Sequence, residues 1–390
     1  MSTSGLPAWA RDEAFSEKPS SAPFGRVDGK GSEQSFSSLD ELGENLARGK
    51  GRLAWVWTPD HDRLIAPEEV PELAQFLKKR RLFFAALDVS DAKRSLPFTI
   101  GAILFALFHF FQGSSFMGHS GALMLVFSGF GFLYFTARPW WEAIKGRKGA
   151  KRLDAQTMAD DIPEARFDLW MDSQKTLFSV VMVALVSVVF LVQFPSPGLG
   201  IEQAGLVKEA YRAGETWRVF TAAFMHGNVI HFALNIGALW YLARRLEILA
   251  RWPHLLAVFI LSMMGAGWAT TALLPAQTSV GVSGVVCGML GFLLVFETLH
   301  LPLVPRPARR RLFGILVSLV VIGALGFHFI DNAAHFGGLI SGAAYAFLVF
   351  PKSCSPQRPV ILKRDYVMGV IVFAMLVASA ALTVYMILRA

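Results

Sequence analysis

Long apolar stretches alternate with short polar ones through most of this chain. Apolar runs at about 96–113 and 121–137 flank the uncharged loop QGSSFMGHS. After a polar stretch, 138–176, a second series follows at about 177–194, 219–243, 254–274, 283–300, 312–330, 333–350 and 366–388. A helix of about 20 apolar residues crosses a bilayer core. The pattern therefore predicts a two-span hairpin followed by a seven-span array.

Charge placement orients these spans. Lys93 and Arg94 precede the hairpin, and Arg138, Lys145, Arg147, Lys148 and Lys151 follow it. Within the array, basic residues mark alternate loops: Arg244, Arg245 and Arg251; then Arg306, Arg309, Arg310 and Arg311; then Lys352, Arg358, Lys363 and Arg364. The intervening loops LPAQTSVG and FIDNAA carry almost no positive charge. Basic loops stay in the cytoplasm. The expectation is a multi-pass protein of the cell (inner) membrane, N-terminus cytoplasmic and C-terminus outside.

The polar stretches divide the rest. Residues 1–40 are rich in Ser, Gly and charge and read as disordered. Residues 41–95 read as a small cytoplasmic module: LDELGENLARG is helix-like, RLAWVWTPD a strand entering a Pro-Asp turn, and PEEVPELAQFLKKRRLFFAALD an amphipathic helix. Residues 96–137 are the hairpin, 138–176 a cytoplasmic linker, 177–350 a six-span core, and 351–390 a basic tail with the seventh span. In the loop after 177–194, IEQAGLVKEAYRAG has the look of an interfacial segment.

Composition agrees. The chain is 54% hydrophobic and 17% charged, against roughly 25% charge in soluble domains. Its net charge of +8 gathers at the ends of apolar runs. That favours a lipid bilayer as partner over nucleic acid. Two cysteines, Cys287 and Cys354, imply no disulfide framework. The first 40 residues hold no apolar signal-peptide core, so no cleavable leader is expected, and their Asp and Glu argue against a mitochondrial presequence.

Polar groups inside spans are costly and mark function by default. Of nine histidines, His61 lies in the soluble part. His109, His119, His254 and His300 suit interfacial or packing roles, and His328 sits near the outer end of its span. His226, His231 and Asn235 gather in HGNVIHFALN at the outer start of the second array span. His231 and Asn235, four apart, share one helix face. Interhelical hydrogen bonding is the plain alternative there. His335 opens the sixth span in AHFGGLISG. Gly338 and Gly342 follow it, matching Gly284 and Gly288 after Ser283 in GVSGVVCGMLG. If the two small-residue stripes face each other, Ser283 and His335 lie at the same outer depth, as a nucleophile and its base require. A metal site is disfavoured, because HxxxxH does not place two ligands on one face as HExxH does. No G-x-S-x-G elbow is present. A transporter would spread ionisable groups through the midplane, whereas this cluster is confined to outer depth.

Together GVSG, AHFGGLISG, HGNVIHFALN and the pair Trp217–Arg218 resemble the motifs of the rhomboid family of intramembrane serine proteases, over about 177–350. The resemblance implies an all-α polytopic membrane protein with a six-helix core plus a seventh C-terminal helix, here preceded by the extra hairpin and soluble region. It implies Ser283 as nucleophile, His335 as general base in a dyad without a carboxylate, and His231, Asn235 and the Ser283 N–H as oxyanion donors. His226 would be structural, Trp217 and Arg218 would shape the first outer loop, and Gly281 would turn the chain into the nucleophile helix. Asp331 would cap the sixth helix. Substrates would be transmembrane proteins, and neither cofactor nor metal is needed. The other reading is an inactive relative that binds or escorts membrane clients. Some members carry a Tyr one turn after the nucleophile. Here that position is Cys287, expected to be a packing residue.

Overall fold

The tryptophans of AWVW organise the N-terminal part of the chain. The computed structural model describes residues 5–29, 31–48, 54–116, 119–274, 276, 278–327 and 330–389. They divide into two units, Met1–Ser173 with Leu319–Phe329, and Gln174–Ser318 with Ile330–Ala390. In the first unit, strands β1 (Phe24–Asp28) and β2 (Glu33–Phe36), helix α1 (Leu39–Arg48), strand β3 (Ala54–Trp57) and helix α2 (Ala74–Phe111) follow in order. The sheet is antiparallel in the order β2-β1-β3. Gly25 is needed in β1, since a Cβ there would lie 1.9 Å from the Trp57 ring. Leu42 and Leu46 of α1 pack on Val56, Ile65, Leu73 and Phe76.

Residues 1–40 therefore do not match the expected disorder, since 24–36 form two strands. Their composition is poor in apolar side chains because the core they cover is supplied from elsewhere: Phe15 meets Trp55 edge to face, and Trp57 Nε1 donates to Ala22 O.

A continuous α2 corrects a second expectation, because the amphipathic helix and the first hairpin span are one 38-residue helix with Pro97 inside it. The short strands β4 (Ser115–Phe116) and β5 (His119–Ser120) make the turn into α3 (Gly121–Phe132), a π-helical turn (Leu133–Ala137) and α4 (Arg138–Lys151). Ser95 Oγ donates to Phe135 O at 2.6 Å, and the Thr99 and Thr136 hydroxyls pair at 3.0 Å. The extra residue of the π turn is thus held by polar groups of α2. Helix α5 (Ala155–Ser173) corrects the linker reading. Its Arg166 donates to Asp12, Glu69 and the Trp9 carbonyl, so residues 155–173 belong to the soluble fold.

The second unit carries α6 (Leu177–Gln193), α7 (Pro197–Ala204), α8 (Lys208–Arg212), α9 (Arg218–Thr221), α10 (Val229–Ala250), α11 (Trp252–Leu273), α12 (Ser283–Leu299), α13 (Arg306–Leu325, as far as Ser318), α14 (Asn332–Val349) and α15 (Lys363–Leu388). The second array span begins ten residues later than expected. The chain bends by 94° between Arg218–Phe224 and Val229–Ala250, where Asn228 Oδ1 accepts from His231 N and starts α10. Arg244 and Arg245 lie inside α10 rather than in a loop, and the link to α11 is Arg251 alone, at φ 82°.

Among the described residues, three helices are long and apolar enough to cross a membrane: Pro71–Phe111, Trp252–Leu273 and Lys363–Leu388. Two bent pairs, Gln156–Ser173 with Leu177–Gln193 and Arg218–Phe224 with Val229–Ala250, also pass when taken together, and Ser283–Leu299 is apolar but shorter. The chain is a mainly α-helical, multi-pass membrane protein with a small three-stranded sheet. The full count of nine spans rests on the charge alternation.

Backbone contact governs the centre of this unit. A Cβ on Gly338 would lie 1.9 Å from Gly284 O, and one on Gly342 would lie 1.9 Å from Gly288 O. The two glycine stripes do face each other, and α12 touches α14 through main chain. Gly337 joins α11 in the same way, 2.4 Å from Gly265 O by the same measure.

Candidate active site

Ser283 is the first residue of α12. The first N–H groups of a helix have no intrahelical partner, so its backbone N–H faces outward from the helix start. Gly281 reaches φ +119°, a conformation that side chains resist, and its N–H donates to Ala222 O at 3.0 Å. A Cβ at 281 would lie 2.8 Å from His231 Cε1 and 3.7 Å from Asn235 Nδ2. Glycine therefore leaves the gap into which α10 presents His231 and Asn235.

His335 lies in the first turn of α14, which Asp331 caps by accepting the Ala334 N–H at 2.8 Å. The glycine contacts set the depth of the two helices, and His335 Nε2 lies 2.8 Å from Ser283 Oγ. His335 Nδ1 is buried with no hydrogen-bond partner among the described residues. Among the described residues no carboxylate bonds to the ring, and the Asp331 carboxylate is held by Ala334, Thr270 and Ser279. Among the same residues no aromatic ring stacks on His335 either. Cys287 sits inside the bundle at 1% exposure.

Two further donors point at the same place. The Asn235 side chain is buried and its Nδ2 has no partner among the described residues. His231 packs edge to face on His226, with ring centroids 5.2 Å apart. His226 is enclosed by Phe190 and Phe232, and Gln193 at the end of α6 clasps its backbone through two hydrogen bonds of 2.7 and 2.9 Å. Arg218 stacks on Trp217, pairs with Glu215 and donates to the carbonyls of Glu202 and Gly205. That pair ties down the loop before α10. His61, His109 and His254 bond to Thr58, Ser114 and Tyr345 respectively, away from this cluster, and His328 lies outside the described residues.

A rhomboid domain model matches residues 213–352, the stretch that holds Ser283, His335, His231, Asn235, His226, Trp217 and Arg218. Residues 213–352 are a rhomboid domain. The chain is 33% identical over 145 residues to Rhomboid protease GluP of Bacillus subtilis (strain 168), covering 36% of this chain and 27% of that protein. It is 31% identical over 172 residues to human Inactive rhomboid protein 2, covering 43% of this chain and 20% of that one. With RHOMBOID-like protein 6, mitochondrial, of Arabidopsis thaliana it shares 27% identity over 143 residues, covering 36% of this chain and 46% of the relative. The chain spans less than half the length of each of these relatives.

Several residues of this rhomboid domain escaped the sequence reading. Glu247 accepts from the N–H groups of Phe178 and Ser179 and from the Ser179 hydroxyl, capping α6 from α10. Arg245 and Glu297 form a two-pronged ion pair of 2.6 and 2.9 Å, both nearly fully buried, and Arg245 also donates to Ala308 O. Lys208 of α8 donates to Thr270 Oγ1; burial pushes its ammonium below the usual lysine range, opposed by Asp331. The available signal was a charge inside an apolar run: Glu297 stands in FLLVFETLH with no neighbouring base. Arg245 was assigned to a loop. Among the described residues no group of three or more His, Cys, Asp or Glu side chains is placed to hold a metal ion.

Proposed function

We propose that this chain is an intramembrane serine endopeptidase that cleaves transmembrane protein substrates near the outer membrane face. The observation that carries the reading is the 2.8 Å approach of His335 Nε2 to Ser283 Oγ, with a buried Asn235 amide near Gly281 that has no partner among the described residues. Ser283 Oγ attacks the scissile carbonyl carbon while His335 Nε2 takes the hydroxyl proton. The carbonyl oxygen, now an anion, accepts hydrogen bonds from the Ser283 N–H, the Asn235 amide and His231. The C–N bond then breaks, and His335 returns the proton to the departing amine. Water, activated by the same imidazole, releases the acyl group and restores Ser283. A substrate helix must open to expose its carbonyl, so residues of low helix propensity near the cleavage point favour turnover. The bilayer is the second partner.

The test is cleavage of a reporter transmembrane substrate in proteoliposomes, together with labelling of the purified protein by a fluorophosphonate. Label on Ser283 and cleavage that stops with labelling support the reading. A folded protein that neither cleaves nor labels sinks it. The second reading, client binding without cleavage, draws on the likeness to inactive rhomboid proteins and predicts that second outcome.

Two further outcomes follow. Asn235→Ala removes one oxyanion donor and is expected to lower kcat by about 100-fold or more while fluorescence-monitored substrate binding stays unchanged. Cys287→Ala is expected to leave initial rates within about threefold of wild type, since the thiol is sealed in packing and free thiolate is the reactive form.

A further inference from the structure

Ser283 and His335 belong to different helices, so their separation depends on how the two helix starts are held. The glycine contacts between α12 and α14 lie below the pair, at Gly284 with Gly338 and Gly288 with Gly342. Above it, a second fastening joins the residue four before Ser283 to the residue four before His335: Ser279 Oγ donates to Asp331 Oδ2. The same oxygen accepts from Thr270 Oγ1 of α11 at 2.5 Å, and Asp331 Oδ1 accepts the Ala334 N–H. Thr270 Oγ1 in turn accepts from Lys208 Nζ at 3.1 Å, and both Lys208 and Thr270 are fully enclosed. The first outer loop grips the same point a second time, where Leu206 and Ser279 exchange two backbone hydrogen bonds of 3.0 and 3.2 Å. Capping α14 needs only Asp331 Oδ1. The other carboxylate oxygen, the enclosed lysine and the backbone bridge at Ser279 are surplus to a cap; the oxygen and the bridge hold the peptide leading to the nucleophile, and the lysine reaches that oxygen through Thr270.

We propose that Asp331 and Ser279 are positioning residues for the Ser283–His335 pair, and that Lys208 extends this fastening into the first outer loop. This rests on the protease reading above. Loosening the upper fastening lets the approach to Ser283 drift against the start of α14. A misplacement of about 1 Å costs up to about 100-fold in rate, and it acts on chemistry rather than on substrate affinity.

The experiment measures kcat and KM on the reporter substrate, and the fluorophosphonate labelling rate, for the full chain in proteoliposomes. Wild type and Ser283→Ala are run first, so that failure of the protease reading is seen separately. Ser279→Ala keeps the helix cap and removes only the bridge. It is expected to lower kcat and the labelling rate in parallel, by about tenfold, with KM within about twofold. Asp331→Ala is expected to lose about 100-fold in kcat, Asp331→Asn to recover part of that loss, and Lys208→Met to fall between Ser279→Ala and wild type. Thermal unfolding of each variant separates lost positioning from lost fold. Wild-type kcat and labelling in Ser279→Ala, or a rise in KM alone, overturns the proposal. So does an Asp331→Asn variant no better than Asp331→Ala.

Discussion

Alanine at position 283 is expected to lower reporter cleavage by roughly ten-thousand-fold or more. In the proposed mechanism every covalent step runs through one oxygen, Ser283 Oγ, whose 2.8 Å contact with His335 Nε2 carries the proton. With the hydroxyl gone, the proposed donors Asn235 and His231 stay, yet no side-chain oxygen is left at position 283 to attack the carbonyl. His335→Ala is expected to reach nearly the same floor, and the double variant to fall no further, since groups that act as a unit lose activity only once. Initial rates in proteoliposomes decide this, with thermal unfolding of each variant to show that the fold is kept. Full activity in Ser283→Ala would end the protease reading.

The second large effect is on stability. Glu297→Ala is expected to destabilise the bundle by about 3–5 kcal/mol, because Arg245 is left charged and enclosed. The pair links α10 to α12, and Arg245 reaches on to Ala308 O at the start of α13. Removing one partner strands the other, whereas removing both does not. Arg245→Met combined with Glu297→Leu is therefore expected to recover most of the loss. Denaturant unfolding in micelles measures all three proteins. A double variant as weak as the single one would mean that the pair contributes more than mutual neutralisation.

What was legible in the sequence follows from how local each cause is. Ser283 and His335 were readable because each heads a glycine stripe of period four, and two such stripes have one way to face each other. The Asp331 cap was readable from a neighbouring residue type. The start of α10 was not, because MHGN interrupts an apolar run without a charge, and only Asn228 accepting the His231 N–H shows where the helix begins. Arg245 looked like a loop charge because its partner, Glu297, stands 52 residues away. Residues 24–36 looked disordered because the tryptophans that cover them lie further along the chain, and 155–173 looked like a linker because Arg166 finds its acids among residues 12 and 69. Pairings between distant polar residues leave no periodicity to read.

At 38 residues without a break, α2 extends about 57 Å. Sheet and hairpin are therefore the two ends of one strut. A rigid helix of that length would carry a displacement of β1–β3 to the hairpin as tilt, with the Ser95–Phe135 and Thr99–Thr136 bonds tying α2 to the returning helix.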